Sequence, residues 1–435
     1  MKSLFQAHFE TVLSKIERVM ESENIDRLLI ESGTYDYHFL DDQPKTFKSN
    51  PHFLYLCPDQ GPGHVIDIKL GQKKPELYFY QPDDFWHEVS QLNNDYWEDS
   101  FDIKVFNNYE KIWETLDNLN SQVSFISPSP GKAIEKGCLE VGSRILSKLH
   151  WIRSGKTDYE IHCLEEANKS AALGHLAAKK AFFEGKSELD ILSDYLSASK
   201  QRESDMPYGS IVALNQNAAI LHYQFPKNIP NGNSFLIDAG ARFKGYCSDI
   251  TRTYSLENSH SVFKSLLSTM ERDQKDVGNM VKPGMDYIDI HREANNRITQ
   301  LLIDSNIIKT SLEEAIEHKL TFSFFPHGIG HPLGLQVHDV CGKQLNEEGT
   351  LAEQPEEFPY LRTLRTIQNN DVLTIEPGLY FIPMLLDKLK QDSKLKPLVN
   401  WTLVDELIPF GGIRIEDNVV AKKDGIKNLT RPFLP

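Results

Sequence analysis

Ser234-Phe-Leu-Ile-Asp-Ala-Gly-Ala-Arg-Phe-Lys-Gly-Tyr-Cys-Ser-Asp-Ile-Thr-Arg-Thr253 carries two aspartates, Asp238 and Asp249, on either side of a turn near Phe243 to Gly245. The apolar run before the turn predicts a hairpin. Folding it about that centre sets Asp238 roughly opposite Asp249, where facing Cβ atoms lie about 4.5–5.5 Å apart. Two carboxylates so close repel and raise each other's pKa unless a cation sits between them. Taken alone, the pair fits a turn residue on a solvated face just as well.

Three further stretches carry ionisable groups where packing disfavours them. Phe324-Phe-Pro-His-Gly-Ile-Gly-His-Pro-Leu-Gly-Leu-Gln-Val-His-Asp339 places His327, His331 and His338 within twelve residues. Its glycines and proline preclude a regular helix, so the backbone is bent so as to present imidazoles. The glycine spacing, with no Lys-Ser/Thr following, does not match a phosphate-cradling loop. In Val372-Leu-Thr-Ile-Glu-Pro-Gly-Leu-Tyr-Phe381, Glu376 interrupts an apolar strand, and a buried carboxylate needs a partner. In Phe410-Gly-Gly-Ile-Arg-Ile-Glu-Asp-Asn-Val-Val420, period-two alternation puts Arg414 and Glu416 on one face and Ile413 and Ile415 on the other. Each stretch has a plainer reading: a surface loop, an edge glutamate, a surface ion pair. Together they offer four carboxylates and one imidazole, a set suited to two divalent ions about 3.5–4 Å apart. Two such ions bring a charge of +4 against four carboxylates.

The rest of the chain narrows the class. Its 435 residues suit two or three domains, with 40% hydrophobic and 25% charged residues, an ordinary globular profile. The net charge of −15, with no basic stripe, argues against nucleic-acid partners. Five scattered cysteines without CxxC spacing argue against a disulfide framework or a zinc knuckle. The start lacks the apolar core of a signal peptide, and no run approaches a membrane span of about 20 apolar residues. These features point to a cytoplasmic protein without membrane contact.

An amphipathic helix is expected at the amino terminus, followed by strands at 27–31, 64–70, 76–80, 102–106 and 123–126 and a helix at 109–119. These make an α/β domain over 1–155. Gly155 breaks a helix, and Thr157 with Glu160 fits a capping box opening a long alanine-rich helix to about Phe183. From 156 to 435 a second domain is expected. Phe182-Phe-Glu-Gly185 and Val281-Lys-Pro-Gly284 each separate two helices, and strands follow at 209–214, 234–254, 372–381 and 413–420. This repetition hints at a duplicated half-domain, although helix–glycine–helix turns are common.

The second half, from about 156 to 435, resembles the metallopeptidase family that includes prolidase, aminopeptidase P and methionine aminopeptidase. The resemblance implies an α+β class and the "pita-bread" fold with its pseudo-two-fold duplication. All five motif positions occur in order. By resemblance, Asp238 and Asp249 match the two aspartate ligands, His331 the ligand histidine, and Glu376 and Glu416 the two glutamates, with Asp249 and Glu416 bridging two ions. Among members of the family the bacterial prolidases look most alike, through Asp41-Asp-Gln43, Phe47-Lys-Ser-Asn-Pro-His-Phe53, Leu361-Arg-Thr363 and the Glu376 and Glu416 segments. That likeness extends into the amino-terminal domain, for which it implies dimerisation and restriction of substrate size.

The resemblance implies a dinuclear metallo-dipeptidase that hydrolyses Xaa-Pro dipeptides, most simply with Mn²⁺, while Co²⁺ or Zn²⁺ also suit the ligands. The two ions activate a water, with Glu376 as proton shuttle. His222, His338 and His327 match pocket histidines that stabilise the intermediate or position substrate. Arg362 matches the arginine that grips the proline carboxylate, and Arg414 and Tyr208 match further pocket residues. Asp41 or Asp42 matches a loop that reaches a neighbouring subunit's site in family homodimers; a plain loop aspartate is the alternative. Some relatives also hydrolyse organophosphorus triesters. The stretch Asp59-Gln-Gly-Pro-Gly-His-Val-Ile66 lacks a tryptophan expected of proficient ones. Rival readings are an aminopeptidase P acting on longer Xaa-Pro peptides, a metal-independent creatinase-like hydrolase, and a catalytically dead pita-bread binding module. The last two would lack ligands that this chain keeps.

Overall fold

The computed structural model describes residues Met1–Pro435 and divides into two compact units. The first comprises Met1–Glu160 with Asn346–Thr350, and the second Ile161–Leu345 with Leu351–Pro435.

In the first unit, helix α1 (Lys2–Ser22) buries Phe5, Phe9, Val12, Ile16, Val19 and Met20 along one face, the stripe that a 3.6-residue period requires. A six-stranded sheet follows, built from β1 (Arg27–Glu31), β2 (Val65–Lys69), β3 (Glu76–Tyr80), β4 (Asp102–Phe106), β5 (Val123–Ile126) and β6 (Leu139–Glu140). The strand order is β4-β3-β2-β1-β5-β6, with β1 central, antiparallel to β2 and parallel to β5. Every residue of β1 is buried, as the core position demands. Helices α2 (Pro51–Leu54), α3 (Tyr109–Thr115), α4 (Gly131–Glu135) and α5 (Ser143–Ser154) complete the unit, and α5 ends at Gly155.

Helix α6 (Asp158–Phe183) opens with the expected capping box. The Thr157 amide donates to Glu160 Oε2 at 2.8 Å and the Glu160 amide to Thr157 Oγ1 at 3.4 Å. The second unit then repeats one plan. Helices α6 and α7 (Glu188–Ser199) precede a three-stranded sheet of β7 (Ile211–Leu214), β8 (Ser234–Asp238) and, beyond the short pair β9 (Arg242–Phe243) and β10 (Tyr246–Cys247), β11 (Thr251–Ser255). Helices α8 (Ser261–Met280) and α9 (Tyr287–Asp304), with the short α10 (Leu312–Glu317), precede a second three-stranded sheet. That sheet holds β12 (Val372–Ile375), β15 (Asp417–Lys422) and β16 (Gly425–Asn428), while β13 (Gly378–Tyr380) pairs with β14 (Gly412–Arg414). Helices α11 (Pro383–Gln391) and α12 (Trp401–Leu407) lie between β13 and β14 in sequence. The largest hydrophobic cluster unites α8, α9, β12 to β15 and α11. The repeat of helix pair and sheet is the duplication expected of a pita-bread domain.

The hairpin at 234–253 differs from its simplest reading. Lys244 and Gly245 form its two-residue tip, both at positive φ (50° and 87°), which suits a type I′ turn. About that tip Asp238 pairs with Thr251, not with Asp249. Asp249 sits across from Gly240: the Ala239 amide donates to Ile250 O at 3.0 Å and the Ser248 amide to Ala241 O at 2.9 Å. The two aspartates are therefore diagonal neighbours on one face, a spacing of about 7–8 Å between Cα atoms instead of direct opposition. A Cβ at position 240 would come within 1.9 Å of the Ser248 carbonyl oxygen, so the strands close there only because residue 240 is glycine. The stretch 234–254 is accordingly four short strand segments, β8 to β11, in one register, not a single long strand.

Candidate active site

Each carboxylate sits where one of these strands ends. Asp238 closes β8 and Asp249 lies two residues before β11. Glu376 directly follows β12, and Glu416 falls between β14 and β15, bridged to Thr251. Strand ends let the backbone complete its hydrogen bonds while the side chains converge: the Glu376 amide donates to Ile329 O (2.8 Å) and the Glu416 amide to Thr251 O (3.0 Å). The alternation expected at 413–416 holds, with Ile413 and Ile415 in the hydrophobic cluster and Arg414 and Glu416 facing the acids. No solvated surface pair exists there, because Arg414 and Glu416 are both buried.

The structure brings Asp249, His331 and Glu416 together, with one ligand atom from each within 4.8 Å of the others, all three buried. His331 Nε2 lies 3.4 Å from Asp249 Oδ2 and 3.8 Å from Glu376 Oε1. Its Nδ1 is 3.0 Å from the Pro332 carbonyl. An Nδ1–H donated there leaves the Nε2 lone pair facing the carboxylates, the tautomer a metal ligand needs. Asp238 joins from the far side through Tyr208, whose hydroxyl lies 2.8 Å from Asp238 Oδ1 and 2.6 Å from Asp249 Oδ1. Its single proton serves one carboxylate at a time.

Burial and mutual repulsion dominate the electrostatics. Burial pushes the Glu376 carboxyl up to about 7 against the pull of His331 and Arg414. Burial, then the charges of Asp249, Glu376 and Asp238, raises Glu416 well above the carboxylate range. Asp238 is raised by burial although Arg414 opposes it. Asp249 alone is held low: burial is outweighed by hydrogen bonding and charge from His331. Four clustered acids with too little positive charge form a cavity in charge, and a divalent cation is the species that fills it. The donor set therefore fits the metal centre implied by the resemblance.

The remaining predicted residues divide in two. His222, His327, His338, Arg362 and Arg414 line one cavity of about 600 Å³ with the acids. Burial drives His327 down to about 3 and His338 to about 4, so both imidazoles are neutral near pH 7. Arg414 is committed already: Nη2 donates to Asp238 Oδ2 (2.6 Å), Nη1 to Tyr380 Oη (2.8 Å) and Nε to Thr251 Oγ1 (3.2 Å). Tyr208 is not among the cavity-lining residues and contacts the aspartates instead. Arg414 thus lines the cavity while three of its five N–H groups hold Asp238, Tyr380 and Thr251, and Tyr208 turns its hydroxyl to the two aspartates. Asp41 and Asp42 lie on an exposed turn of the first unit and line no part of this cavity.

Sequence reading missed Thr251 and Tyr380. Thr251 Oγ1 donates to Glu416 Oε2 at 2.7 Å. Tyr380 joins Arg414 to His327, whose Nε2 lies 2.9 Å from its hydroxyl while Nδ1 faces Gly328 O at 2.8 Å. The Thr251 signal was present in the register, since it is the residue opposite Asp238. Tyr380 gave none, because an aromatic in an apolar strand reads as core.

Comparison with known proteins follows these lines. The model of metallopeptidase family M24 matches residues 162–423, and that of the Xaa-Pro dipeptidase N-terminal domain matches residues 3–151. The Xaa-Pro dipeptidase of Shewanella woodyi is 43% identical over 430 residues, covering 98% of this chain and 97% of that protein. That of Pseudoalteromonas haloplanktis is 43% identical over 99% of this chain and 98% of its own length. Among solved structures, Escherichia coli aminopeptidase P with the inhibitor Pro-Leu superposes with a TM-score of 0.75 at 22% identity, covering 100% of this chain and 95% of that one. The zinc-substituted form with product gives 0.74 at 22% identity, over 100% and 96%. These structures share the fold.

Proposed function

The chain belongs to metallopeptidase family M24, in its bacterial Xaa-Pro dipeptidase branch, and from that premise we infer a metallo-dipeptidase that hydrolyses dipeptides ending in proline. The convergence of Asp249, His331 and Glu416 within 4.8 Å is the observation that carries this reading. Divalent ions held there would supply Lewis-acid polarisation of the scissile carbonyl and a water of lowered pKa. Asp238, Asp249, His331, Glu376 and Glu416 are the ligands we propose, for two ions, with Mn²⁺ favoured by the oxygen-rich set and Co²⁺ or Zn²⁺ as alternatives.

The chain's own residues do the rest. Arg414 and Tyr208 hold Asp238 and Asp249 in place through the hydrogen bonds described, so that charge is fixed before substrate arrives. Glu376 is the proton shuttle that the resemblance implies, taking a proton from the attacking water and passing it to the leaving nitrogen. The neutral imidazoles of His338 and His327 donate or accept without adding charge, and His222 lines the same cavity. Arg362 has no carboxylate partner within the chain and is our candidate for the grip on the proline carboxylate, a geometry suited to guanidinium. Exclusion of longer peptides then follows from the need for a free carboxyl at that point.

We further propose a division of labour at about 155–156, with the amino-terminal domain supporting a homodimer and Asp41 or Asp42 reaching the partner's cavity. A cytoplasmic location and a side activity on organophosphorus triesters belong to the same proposal. No helix is long and apolar enough to cross a membrane. Turnover of Leu-Pro and Leu-Pro-Gly, with and without chelation followed by Mn²⁺, tests the whole reading. Metal-dependent cleavage of Leu-Pro alone is expected; cleavage of only the tripeptide would make the chain an aminopeptidase P, and full activity after chelation would remove the metal mechanism.

A further inference from the structure

Helix α7 opens with Glu188, which is 1% exposed and lies outside the acidic cluster. Four donors converge on its carboxylate. The Leu214 amide and Asn217 Nδ2 lie 2.7 and 2.8 Å from Oε1, and the Lys227 amide and Tyr223 hydroxyl 2.7 and 2.8 Å from Oε2. The position at the first turn of a helix favours the negative charge as well. The four donors are not scattered. Leu214 ends β7 and Lys227 stands at the far end of the following loop, with Asn217 and Tyr223 between. His222, adjacent to Tyr223, lines the cavity with Leu221 and Ala219. His222 itself is exposed and has no other anchor among the hydrogen bonds of the loop, whereas Tyr223 is 4% exposed.

We propose that Glu188 is a positioning residue for dipeptide hydrolysis: its buried carboxylate ties both ends of the 214–227 loop together and so aims His222 into the cavity. A carboxylate is required because the Leu214 and Lys227 amides and Asn217 Nδ2 can only donate, while the single proton of the Tyr223 hydroxyl is shared between Oε2 and the Phe225 carbonyl, 2.5 Å away. A glutamine keeps one acceptor oxygen and turns an amino group toward two donors, leaving buried polar groups unpaired. The role rests on the dipeptidase reading only for its activity readout, since the tie itself is a property of the fold.

The test is a double-mutant cycle with the Mn²⁺-loaded full chain. Glu188→Gln is expected to lower kcat/KM for Leu-Pro by about tenfold to a hundredfold, the scale of a misplaced group. In a His222→Ala background the same change is expected to alter it by less than about twofold, because the group it aims is gone. Bound metal should stay at the wild-type level, and amide exchange across 215–227 should quicken. Should Glu188→Gln fail to fold, Tyr223→Phe, which removes one donor, is expected to give a smaller loss that again vanishes with His222→Ala. Equal losses in both backgrounds, or undiminished turnover beside a loosened loop, overturn the proposal. If the wild-type chain itself leaves Leu-Pro intact, the dipeptidase reading fails. The exchange measurement then decides alone, and an unchanged loop in Glu188→Gln sinks the tie.

Discussion

Two buried acidic assemblies sit in this chain, and their charges are balanced in opposite ways. In the sheet of the first unit, Asp67 is fully buried and accepts two hydrogen bonds from Arg27, at 2.8 and 2.7 Å. Lys69 stands 3.4 Å from it, and Glu76 accepts from Lys69 at 3.1 Å and Lys104 at 2.6 Å. Despite some burial, these lysines hold the Glu76 carboxyl down at about 2. In the second unit Glu376 is pushed up to about 7, and Glu416 is raised well above the carboxylate range by burial and its acidic neighbours. The same residue type, also drawn inward, titrates on opposite sides of its ordinary range. The first assembly carries its cations in its own sequence, and the second leaves a place for cations from outside. Compensated burial is architecture; uncompensated burial is a binding site.

The contrast can be broken most directly at Glu416. Glu416→Ala is expected to lower turnover of Leu-Pro by about 10³-fold or more, about 4 kcal/mol of barrier, with metal content down and the circular dichroism spectrum retained. Retained metal and activity would show that the acids are not a cation site. The mirror experiment is Asp67→Ala, which strands the Arg27 guanidinium: about 3–5 kcal/mol of stability should go, read by urea unfolding, while metal content per folded chain stays constant. A drop in metal instead would erase the distinction between the two assemblies.

Arg362→Ala sharpens the picture of the cavity. A cost of about 2 kcal/mol, roughly 30-fold in kcat/KM for Leu-Pro, is expected from removal of one partner of a charge pair, mostly in KM. Leu-prolinamide, which lacks the carboxylate, should barely distinguish variant from wild type. Equal losses on both substrates would assign the arginine another role.

The smallest expected effect is one of pH, and its sign differs between the assemblies. Glu376 has a folded-state pKa raised from 4.5 to about 7. Its contribution to the stability of the metal-free chain is full below about 4.5 and is lost as pH rises through about 7. Glu76 has its pKa lowered from 4.5 to about 2, so its contribution is present above about 4.5 and lost as pH falls through about 2. Thermal unfolding of the chelated chain should therefore weaken from pH 5 to pH 8, and Mn²⁺ should restore it most at the higher pH, where it has the fewest protons to displace. A chelated chain that strengthens over this interval would reverse the sign assigned to Glu376.

The sequence alone fixed a good deal. Periodicity located α1 and β1 to β5 of the first unit but not the two-residue β6, because a 3.6-residue stripe and short apolar runs are local properties of the chain and β6 is too short to show one. Thr157 with Glu160, and the glycines closing α6 and parting α8 from α9, were legible for the same reason: caps and turns depend on residues three or four apart. The proposed ligands Asp238, Asp249, His331, Glu376 and Glu416 were legible as ionisable groups intruding on apolar or bent segments. What needed the tertiary structure was every relation across sequence distance. The diagonal placement of the two aspartates turns on Gly240 letting the Ser248 carbonyl approach, which no pattern of hydrophobicity announces. The bonds of Arg414 to Asp238, Tyr380 and Thr251, residues 34 to 176 positions away, are likewise invisible in its place along the strand. A side chain's type declares which bonds it can make. Only folding decides who reaches it first, because hydrogen bonds form over about 3 Å, while the sequence records order along the chain and no distances at all.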